Sequence, residues 1–520
     1  MLRSLRLVGA TLAWMALVAC TDVHIKGAWC TSKADCTTKP YLYCDPTHNA
    51  CTSTPNDMGS GGGKDGSPDL FTPMCAVATA AKDCTNVAMP ICDDGSCRAC
   101  MSSEDDAACA NLSSAKPHCA TSGANAGQCV ACAQSSDCTM PGMPVCGSTN
   151  VCRACQAHSE CASGICIMDG ASAGQCAGVG QVAIVDNGNT TVAACQLARP
   201  KRDGSSANPY CDVSEAVTAA KAFALVKASS QPYGAIALSD QSITIVGPGK
   251  AAASTAVARL YGNGVASVAM IATVTGGAST VILDGLELAG DSSNKSFRGV
   301  SCTNSSSTVG NAALTVRNAG IHDSSDAGIY SNGCTLVADA DIIGLWGTSG
   351  GNLGGGIILS STNTATITNS IIAGNGSAAA TTGGLTIDKA TTLQFAFNTV
   401  VRNAVSAGVG GADCGGGAIK TLFGSIFYQN TTSGGTQLGP QCSLTSVETV
   451  AGDDTRGSMS ASPPTFVSTT DFHLVANDKA NEACCVNQIS SPTTPNSLHD
   501  VDLTIRPKGA SWDIGAHEVQ

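Results

Sequence analysis

The chain has 520 residues and a formal net charge of -12, and only 13% of its residues are charged, against about 25% in ordinary globular domains. Hydrophobic residues make up 43% and aromatic residues 4%, so the core must be built from small aliphatic side chains. This favours thin, stacked β structure, and the length allows two or more structural units. The acidic balance excludes nucleic acid as a partner, because nothing basic would neutralise its phosphates.

Residues 1–20 have the parts of an export signal. Arg3 and Arg6 form a basic start, a short apolar run follows, and the segment ends in Leu17-Val18-Ala19-Cys20. This ending resembles the bacterial lipobox, which implies a diacylglyceryl group on Cys20 and cleavage before it. Two or more acyl chains, palmitate among them, would anchor the protein stably in a membrane. The alternative is an ordinary secretory signal with Cys20 merely nearby.

The cysteine content also predicts export. An oxidising compartment suits 29 cysteines, and an even number remains for pairing once Cys20 carries lipid. Thr21 follows Cys20, where Asp would give inner-membrane retention in some enterobacteria. We therefore expect a membrane-anchored lipoprotein at the outer membrane or cell surface of a Gram-negative bacterium.

Cysteines recur in sets of four between Cys30 and Cys176. The first set lies in a repeat at 21–52, a Gly/Ser/Pro linker spans 53–74, and four more repeats span 75–178. Units of about 25 residues are too small to fold on a core alone, and two disulfides would stabilise each by roughly 2–4 kcal/mol per bond. Zinc or redox chemistry at the Cys-x-x-Cys steps is the alternative. The region resembles small Cys-rich repeats of Gram-negative surface proteins.

Residues 179–470 have a different texture, with few cysteines and many short strands. A helix is predicted over Ser214–Lys221, with Ser214 or Asp212 near its N-cap. Apolar strand pairs then recur at intervals of roughly 23 to 35 residues, each pair divided by Asn, Asp or Gly. These pairs lie in Thr280–Leu288, Leu314–Ile321, Leu336–Ile343, Ala365–Ile372, Leu393–Val401 and Leu422–Phe427.

This order resembles pectin-lyase-like proteins, in which a helix caps one end of the solenoid. The resemblance implies an all-β fold, a right-handed parallel β-helix, behind the N-terminal disulfide-rich repeats. A β-sandwich is the alternative architecture, although its hairpins would need more closely spaced strand pairs. We expect Asn369 and Asn398 to be rungs of a structural Asn ladder.

Residues 471–520 carry three further motifs. They are Asp471-Phe472-His473-Leu474, Arg506-Pro507-Lys508-Gly509 and Asp513-Ile514-Gly515-Ala516-His517-Glu518. Together they resemble the C-terminal segment of bacterial surface β-helix proteins of the choice-of-anchor Q type, which implies a segment that closes the β-helix. The chain departs from that family at 481–485, where Asn-Glu-Ala-Cys-Cys replaces the usual Ser-Pro-Ala-Ile-Asp.

Six cysteines of the β-helix are disulfide candidates by their proximity in sequence. The expected pairs are Cys195 with Cys211, Cys302 with Cys334, and Cys414 with Cys442. Cys484 and Cys485 are adjacent, and since a bond between neighbours would be strained, we expect one of them to pair elsewhere.

Pectin-lyase-like enzymes need carboxylates and a basic side chain on one face. Asp323 and Asp326, which share a turn beside His322, are the weak catalytic candidates. Turn chemistry is the competing explanation, and the sequence lacks the polygalacturonase motif series. We predict no metal site and no cofactor, with Ca²⁺ as the one ion that such acidic turns could bind.

The preferred function is a non-enzymatic surface lipoprotein whose β-helix mediates adhesion or binds a glycan or matrix polymer. Its partners would be a membrane, through the lipid, and an extracellular polysaccharide or surface protein. The alternative is a polysaccharide lyase or glycoside hydrolase with a divergent site around Asp323 and Asp326, so whether the protein is an enzyme stays open.

Overall fold

A computed structural model describes residues 43–45, 50–52, 75–76, 80–86, 88–250, 257–262, 267–273, 278–290, 298–304, 312–345, 350–361, 364–388, 392–406, 408–415, 420–430, 436–444, 450–451, 463–490 and 499–519. The chain divides into two compact units, Met1–Pro73 and Met74–Gln520. In the first unit, β1 (Tyr43–Asp45) pairs antiparallel with β2 (Ala50–Thr52). Cys20 and the linker at 53–74 lie outside the described residues.

The second unit begins with four disulfide-bonded repeats that share one connectivity. In each repeat the first cysteine bonds the third and the second bonds the fourth. The bonds are Cys75–Cys92, Cys84–Cys97, Cys100–Cys119, Cys109–Cys129, Cys132–Cys146, Cys138–Cys152, Cys155–Cys166 and Cys161–Cys176. Because every sulfur in these four repeats is bonded to another, none is available there as a thiolate for zinc or redox chemistry.

Short antiparallel strand pairs and single helical turns complete the repeats. The strand pairs are β3 (Ile91–Asp93) with β4 (Ser96–Arg98), β5 (His118–Cys119) with β6 (Cys129–Val130), and β7 (Val145–Cys146) with β8 (Cys152–Arg153). The α-helices are α1 (Ala80–Asp83) and α2 (Asp106–Leu112). Each repeat thus has a minimal core, and its disulfides supply much of the stability.

The last repeat packs directly against the β-helix. Ile165 is fully buried among the first strands of the β-helix. His158 Nε2 lies 3.0 Å from Asp284 Oδ2, and Arg317 bridges Asp284 at 2.5 Å and Asp169 at 2.6 Å. Burial would raise the pKa of Asp284, but the contacts with His158 and Arg317 hold it below its usual value. This repeat and the β-helix therefore form one folded body, joined by a network of ion pairs.

Two helices precede the regular coils. α3 (Val192–Ala198) is tied by the Cys195–Cys211 disulfide to the start of α4 (Val213–Thr218). Asp212 is the N-cap of α4, and its carboxylate accepts a hydrogen bond from Val213 N. The buried face of α4 lies on the end of the apolar core and shields it from water. No helix within the described part of the chain has the length and apolar character needed to cross a membrane.

Three parallel sheets form a right-handed parallel β-helix, which confirms the predicted fold. The chain passes through sheets I, II and III in turn, so each strand pairs with its counterpart one coil later. Sheet I contains β9 (Val182–Val185), β10 (Phe223–Val226), β12 (Ile243–Val246), β15 (Ser279–Asp284), β18 (Ala312–Arg317), β21 (Thr335–Asp339), β24 (Thr364–Thr368), β27 (Thr392–Ala396), β30 (Lys420–Phe423) and β33 (Cys442–Leu444). Sheet II contains β13 (Arg259–Tyr261), β16 (Glu287–Ala289), β19 (Gly320–His322), β22 (Ile342–Gly344), β25 (Ile371–Ala373), β28 (Thr399–Val401), β31 (Ile426–Tyr428) and β34 (Val450–Ala451). Sheet III contains β11 (Ile236–Ser239), β14 (Ser267–Thr273), β17 (Arg298–Asn304), β20 (Ala327–Asn332), β23 (Gly355–Ser360), β26 (Leu385–Ile387), β29 (Val409–Asp413) and β32 (Thr436–Leu438).

The core is a column of stacked aliphatic side chains. Alternate residues of each sheet I strand point inward, and the register places like residues above one another. Leu314, for example, lies between Val281 and Leu336, and all three are buried. Burying one such side chain contributes roughly 1.5–3 kcal/mol, so the repeated alternation in sequence accounts for the solenoid.

Sheet II is apolar on both of its faces along its later strands. Ile342, Ile371 and Val401 point outward from three successive strands and are nevertheless buried. Phe472 and Val501 of the C-terminal segment pack on them. The segment, which includes α5 (Lys479–Cys484), therefore lies along the side of the solenoid over sheet II.

A ladder of buried asparagines lines the corner between sheets II and III. Each side-chain amide donates to the Oδ1 of the next rung at 2.9 or 3.0 Å, and to a main-chain carbonyl of the preceding coil at 2.7 to 3.3 Å. Gln437 Oε1 accepts the last donor at 2.7 Å. The rungs are Asn352, Asn375, Asn403 and Asn430. The ladder satisfies polar groups that would otherwise be buried without partners.

Neither of the two asparagines predicted to form an Asn ladder belongs to this one. Asn398 lies in a separate buried row with Ser370 and Ser425, at the corner between sheets I and II. Its Oδ1 accepts a hydrogen bond from Ser370 N, and its main-chain N donates to Ser425 Oγ. Asn369 is not a rung. It has a φ of 52° at the turn and donates to Asp339 Oδ1 at 2.8 Å, because this turn position needs the left-handed conformation that Asn tolerates.

Four disulfides lie outside the repeats. Three join Cys195 to Cys211, Cys302 to Cys334 and Cys414 to Cys442, the pairs expected from proximity. The fourth joins Cys484 to Cys485 at the end of α5, contrary to the expectation that one of them pairs elsewhere. All other described cysteines of the second unit are already bonded to each other, which leaves these two only one another as partners.

Candidate functional site

Asp323 and Asp326 lie in the turn that leads from β19 to β20, at the corner between sheets II and III. Asp323 has a φ of 57°, and its Oδ1 accepts a hydrogen bond from Gly350 N at 2.9 Å. Asp326 Oδ2 accepts a hydrogen bond from Arg298 Nε at 2.6 Å. The two carboxylates thus have different partners, and each is already neutralised or hydrogen-bonded.

A row of alternating charges runs from Asp323 across the outer face of sheet II. His322 Nδ1 lies 2.7 Å from Asp323 Oδ2, and His322 Nε2 lies 2.8 Å from Glu287 Oε1. Arg259 approaches the same Glu287 oxygen at 2.8 Å. Burial alone would lower the pKa of His322, but its hydrogen bonds to Asp323 and Glu287 raise it. The two carboxylates therefore stabilise the imidazole as a cation, which makes it a poorer general base.

A guanidinium lies over an aromatic ring on the adjoining face of sheet III. Arg298 Cζ is 3.6 Å from the centroid of the Tyr330 ring, and Asp326 fixes its Nε. The Arg298 side chain is 31% exposed, and its terminal amino groups have no partner among the described residues. Since the ring and the carboxylate hold the guanidinium in one place, its free donors are preorganised toward solvent.

The outward face of sheet III around this pair carries both polar and apolar side chains and is here called the sheet III face. Met270 at its N-terminal end is 42% exposed. One row of the face consists of Met270, Ser301, Tyr330, Ile358, Thr386 and Asp413. The parallel row beside it consists of Thr303, Asn332 and Ser360. Since neighbouring strands are about 4.8 Å apart, the hydrogen-bonding groups of the shorter row recur at that spacing.

Other charged residues of the β-helix lie beneath the C-terminal segment. Lys250 Nζ donates to Ala340 O at 2.5 Å and to Val501 O, and burial lowers its pKa. Asp341 is fully buried, and burial raises its pKa. Asp339 is paired with His499 of the segment at 3.2 Å. These groups hold the segment to the coil corner and do not line a groove for a substrate.

One cluster in the described part of the chain has metal-ligand residue types without disulfide sulfurs. Ligand atoms of Asp500, Asp502 and His517 lie within 4.8 Å of one another. The Asp500 carboxylate already accepts three main-chain N–H groups. Burial and the nearby charge of His473 lower the pKa of His517 to about 4, and its Nδ1 accepts a hydrogen bond from Leu474 N. The neutral ring must then carry its proton on Nε2, so these residues do not fit a metal ion.

The sequence pattern does not single out Tyr330 or Glu287. Tyr330 occupies an outward position of a strand in a chain with seven tyrosines. The signal available in the sequence was an aromatic residue at an outward position of a β-helix strand. Glu287 follows a turn. It becomes the partner of His322 only through the register between successive coils, which the sequence does not show.

A family model and a solved structure are similar to parts of this chain. Residues 64–182 match a family of unknown function (DUF8331), which covers the linker end and the four described repeats. No curated protein matches the chain. Among solved structures it is similar to the crystal structure of pectate lyase Pel9A, at 14% identity and a TM-score of 0.22, over 65% of this chain and 96% of that one. At that score the likeness carries no argument about activity, and the fold rests on the strand pairing.

Proposed function

We propose that the protein is a surface-anchored lipoprotein that binds an extracellular polysaccharide along the sheet III face and does not degrade it. The observation that carries this proposal is the Arg298 guanidinium held over Tyr330 and fixed by Asp326 on that face. The Tyr330 ring holds the guanidinium in place, and the free guanidinium donors can bond the oxygens of a sugar.

The shape of the face supports an extended ligand. Its longer row crosses six strands, which at about 4.8 Å per strand gives a length of roughly 24 Å. The parallel row adds the hydroxyl and amide groups of Thr303, Asn332 and Ser360. These groups donate and accept hydrogen bonds, as sugar hydroxyls do. Several consecutive sugar units could therefore contact the face at the same time.

The charge state of the neighbouring residues favours binding over turnover. The His322 cation is balanced by Glu287 and Asp323, and Asp326 is neutralised by Arg298. A lyase or hydrolase needs an acid and a base that exchange protons near neutral pH. In the described structure the carboxylates at this corner are committed to cations or main-chain donors.

Binding is tested with the disulfide-intact chain from Cys20 onward, carrying Cys20→Ser for solubility. The last Cys-rich repeat packs on the β-helix, so the fragment must retain the repeats. On a glycan array and in pull-down with insoluble polysaccharides, Tyr330→Ala and Arg298→Gln should each weaken binding about tenfold. Tyr261→Ala, which removes an outward tyrosine of sheet II, is the matched control and should bind normally.

Two outcomes would contradict the proposal. Equal binding by the Tyr330→Ala and Tyr261→Ala variants would place the ligand elsewhere. Release of oligosaccharide products would instead favour the lyase or hydrolase alternative. Reducing-end and unsaturated-product assays would measure this release.

The anchor has its own test in cells. Radiolabelled palmitate should be incorporated into the unaltered chain and not into the Cys20→Ser variant, which should leave the membrane fraction. Incorporation that persists in the variant would refute lipid attachment at Cys20.

A further inference from the structure

A surface cavity of about 430 Å³ lies within the C-terminal segment, on the side of the molecule that covers sheet II. It is lined by Asn477, Glu482, Val486, Asn487, Lys508, Gly509 and Val519. The lining comes from three stretches of chain that meet only in the fold: the region around α5, the turn after Arg506 and the end of the chain at Val519. Its volume falls within the range of about 300–1,000 Å³ that is usual for small-molecule sites.

The walls of this cavity are held firmly. Asp513 uses both carboxylate oxygens, which accept hydrogen bonds from Asn487 N and Val519 N at 2.7 Å each. Glu518 Oε1 accepts a hydrogen bond from Lys508 N at 3.2 Å, and its other oxygen pairs with the buried Arg506. The three stretches are therefore joined by buried carboxylates, and the cavity is formed before any ligand arrives.

Two opposite charges line the cavity without meeting. Neither the half-buried Lys508 ammonium nor the exposed Glu482 carboxylate has a side-chain partner among the described residues, and no ion pair joins them. The buried Arg506 nearby is paired with Glu518 at 3.1 Å. The side-chain amide of Asn477 is likewise without a partner in the described structure.

We infer that this cavity binds a small zwitterion of about dipeptide size, with its carboxylate on Lys508 and its ammonium on Glu482. Charge-assisted hydrogen bonds at both ends would fix the orientation of the ligand, while Val486 and Val519 contact its apolar part. Asn477 and Asn487 offer amide groups to a peptide bond between the two ends. Because the cavity opens to solvent, we expect a dissociation constant near the millimolar range.

The test uses L-alanyl-L-alanine as the probe and saturation-transfer NMR with the disulfide-intact chain. N-acetyl-alanyl-alanine lacks the ammonium, and alanyl-alanine amide lacks the carboxylate. Each blocked form should bind the unaltered protein at least about fivefold more weakly. Lys508→Gln and Glu482→Gln should weaken the free dipeptide by a similar factor, whereas Lys479→Gln, an exposed position of α5, should have no effect.

Three results would overturn the inference: no binding of the dipeptide at about 10 mM, equal binding of the free and blocked forms, or unchanged binding by both cavity variants. The blocked peptides decide the question on the unaltered protein even where a variant fails to fold. The sheet III face plays no part in this site, so glycan binding should be the same in the Lys508→Gln variant.

Discussion

The asparagine ladder offers a direct test of what stabilises the coil stack. Replacing Asn403 by Ala removes its amide donors to Ile372 O at 2.7 Å and to Asn430 Oδ1 at 3.0 Å. It also removes the Oδ1 acceptor that Asn375 N and Asn375 Nδ2 both use at 2.9 Å. The substitution therefore breaks four hydrogen bonds in a site that is 0% exposed.

The size of the effect follows from those four bonds. A net contribution of about 1 kcal/mol per bond gives a loss of roughly 4 kcal/mol in the free energy of unfolding. The true cost should be no smaller, because the groups left behind are buried and have no water to bond. Such a loss is a large part of the total stability of an ordinary domain, which is about 5–15 kcal/mol.

The measurement is denaturant unfolding of the disulfide-intact chain, followed by circular dichroism in the β region. Asn332→Ala is the matched control, since Asn332 lies on the outward sheet III face and its side chain has no partner among the described residues. The control should change the free energy of unfolding by less than about 0.5 kcal/mol. If Asn403→Ala costs under about 1 kcal/mol, or no more than the control, the ladder does not carry the stability assigned to it.

Four further changes test the packing and the charges. Gly356→Ala should lower the free energy of unfolding by about 1–3 kcal/mol. The added Cβ would lie 2.6 Å from a side-chain methyl and 2.7 Å from a carbonyl oxygen. Gly180→Ala, whose Cβ would have nothing within 4 Å, is the control in the same unfolding measurement. Burial and the charge of His473 lower the pKa of His517 from 6.5 to about 4, so the stability it contributes above pH 6.5 should be lost as pH falls toward 4, by roughly 3 kcal/mol. Burial alone would lower the pKa of His473, but Asp502 and Asp471 outweigh burial and raise it to about 9. The stability that His473 contributes should therefore be lost as pH rises from 6.5 toward 9. His517→Asn should flatten the acid limb of the plot of stability against pH and His473→Asn the alkaline limb, and unchanged limbs would contradict the assignments. Lys250→Met removes the donor that links Ala340 O of the coils to Val501 O of the C-terminal segment. Limited proteolysis after residue 462 should then become faster than in the unaltered chain, and equal rates would show that this link is dispensable.

The architecture could be predicted because a β-helix repeats its physics in every coil. Short apolar strands divided by Asn, Asp or Gly imply inward-pointing columns and tight turns wherever they recur. The predicted helix at Ser214–Lys221 is found as α4, although it begins one residue earlier, at Val213, and ends at Thr218. The helix ends early because Ala220 takes a φ of 53°, which breaks the helical path.

The placement of the C-terminal segment could not be predicted from local pattern alone. Strands such as Ile371–Ala373 are apolar at every position, which in isolation fits any fully buried strand. Only the fold shows that Phe472 and Val501 cover their outer face. The asparagine ladder was missed for a similar reason, since Asn352 and Asn375 lie in loops whose alignment depends on the number of residues in each coil.

Candidate chemistry was the least predictable, because it depends on which charges meet across coils. Asp323 and Asp326 are neighbours in sequence, yet one bonds His322 and the other bonds Arg298, and the two partners lie on different sheets. The partners come from coils that the sequence separates by up to 28 residues. A carboxylate pair in a turn therefore predicts an acidic corner, while the coil register decides whether the charges remain available for catalysis.

The distribution of covered and accessible faces gives the three sheets different roles. The last Cys-rich repeat packs against sheet I through Arg317 and Asp284, and the C-terminal segment packs on sheet II through Phe472. Sheet III carries Arg298 and the exposed Met270 on its outer side instead. Since the last repeat packs on the first coils, the sheet III face keeps a fixed orientation relative to that repeat. That arrangement suits a protein that holds a long ligand, because several weak contacts along one fixed face add to useful affinity without closure of the structure around it.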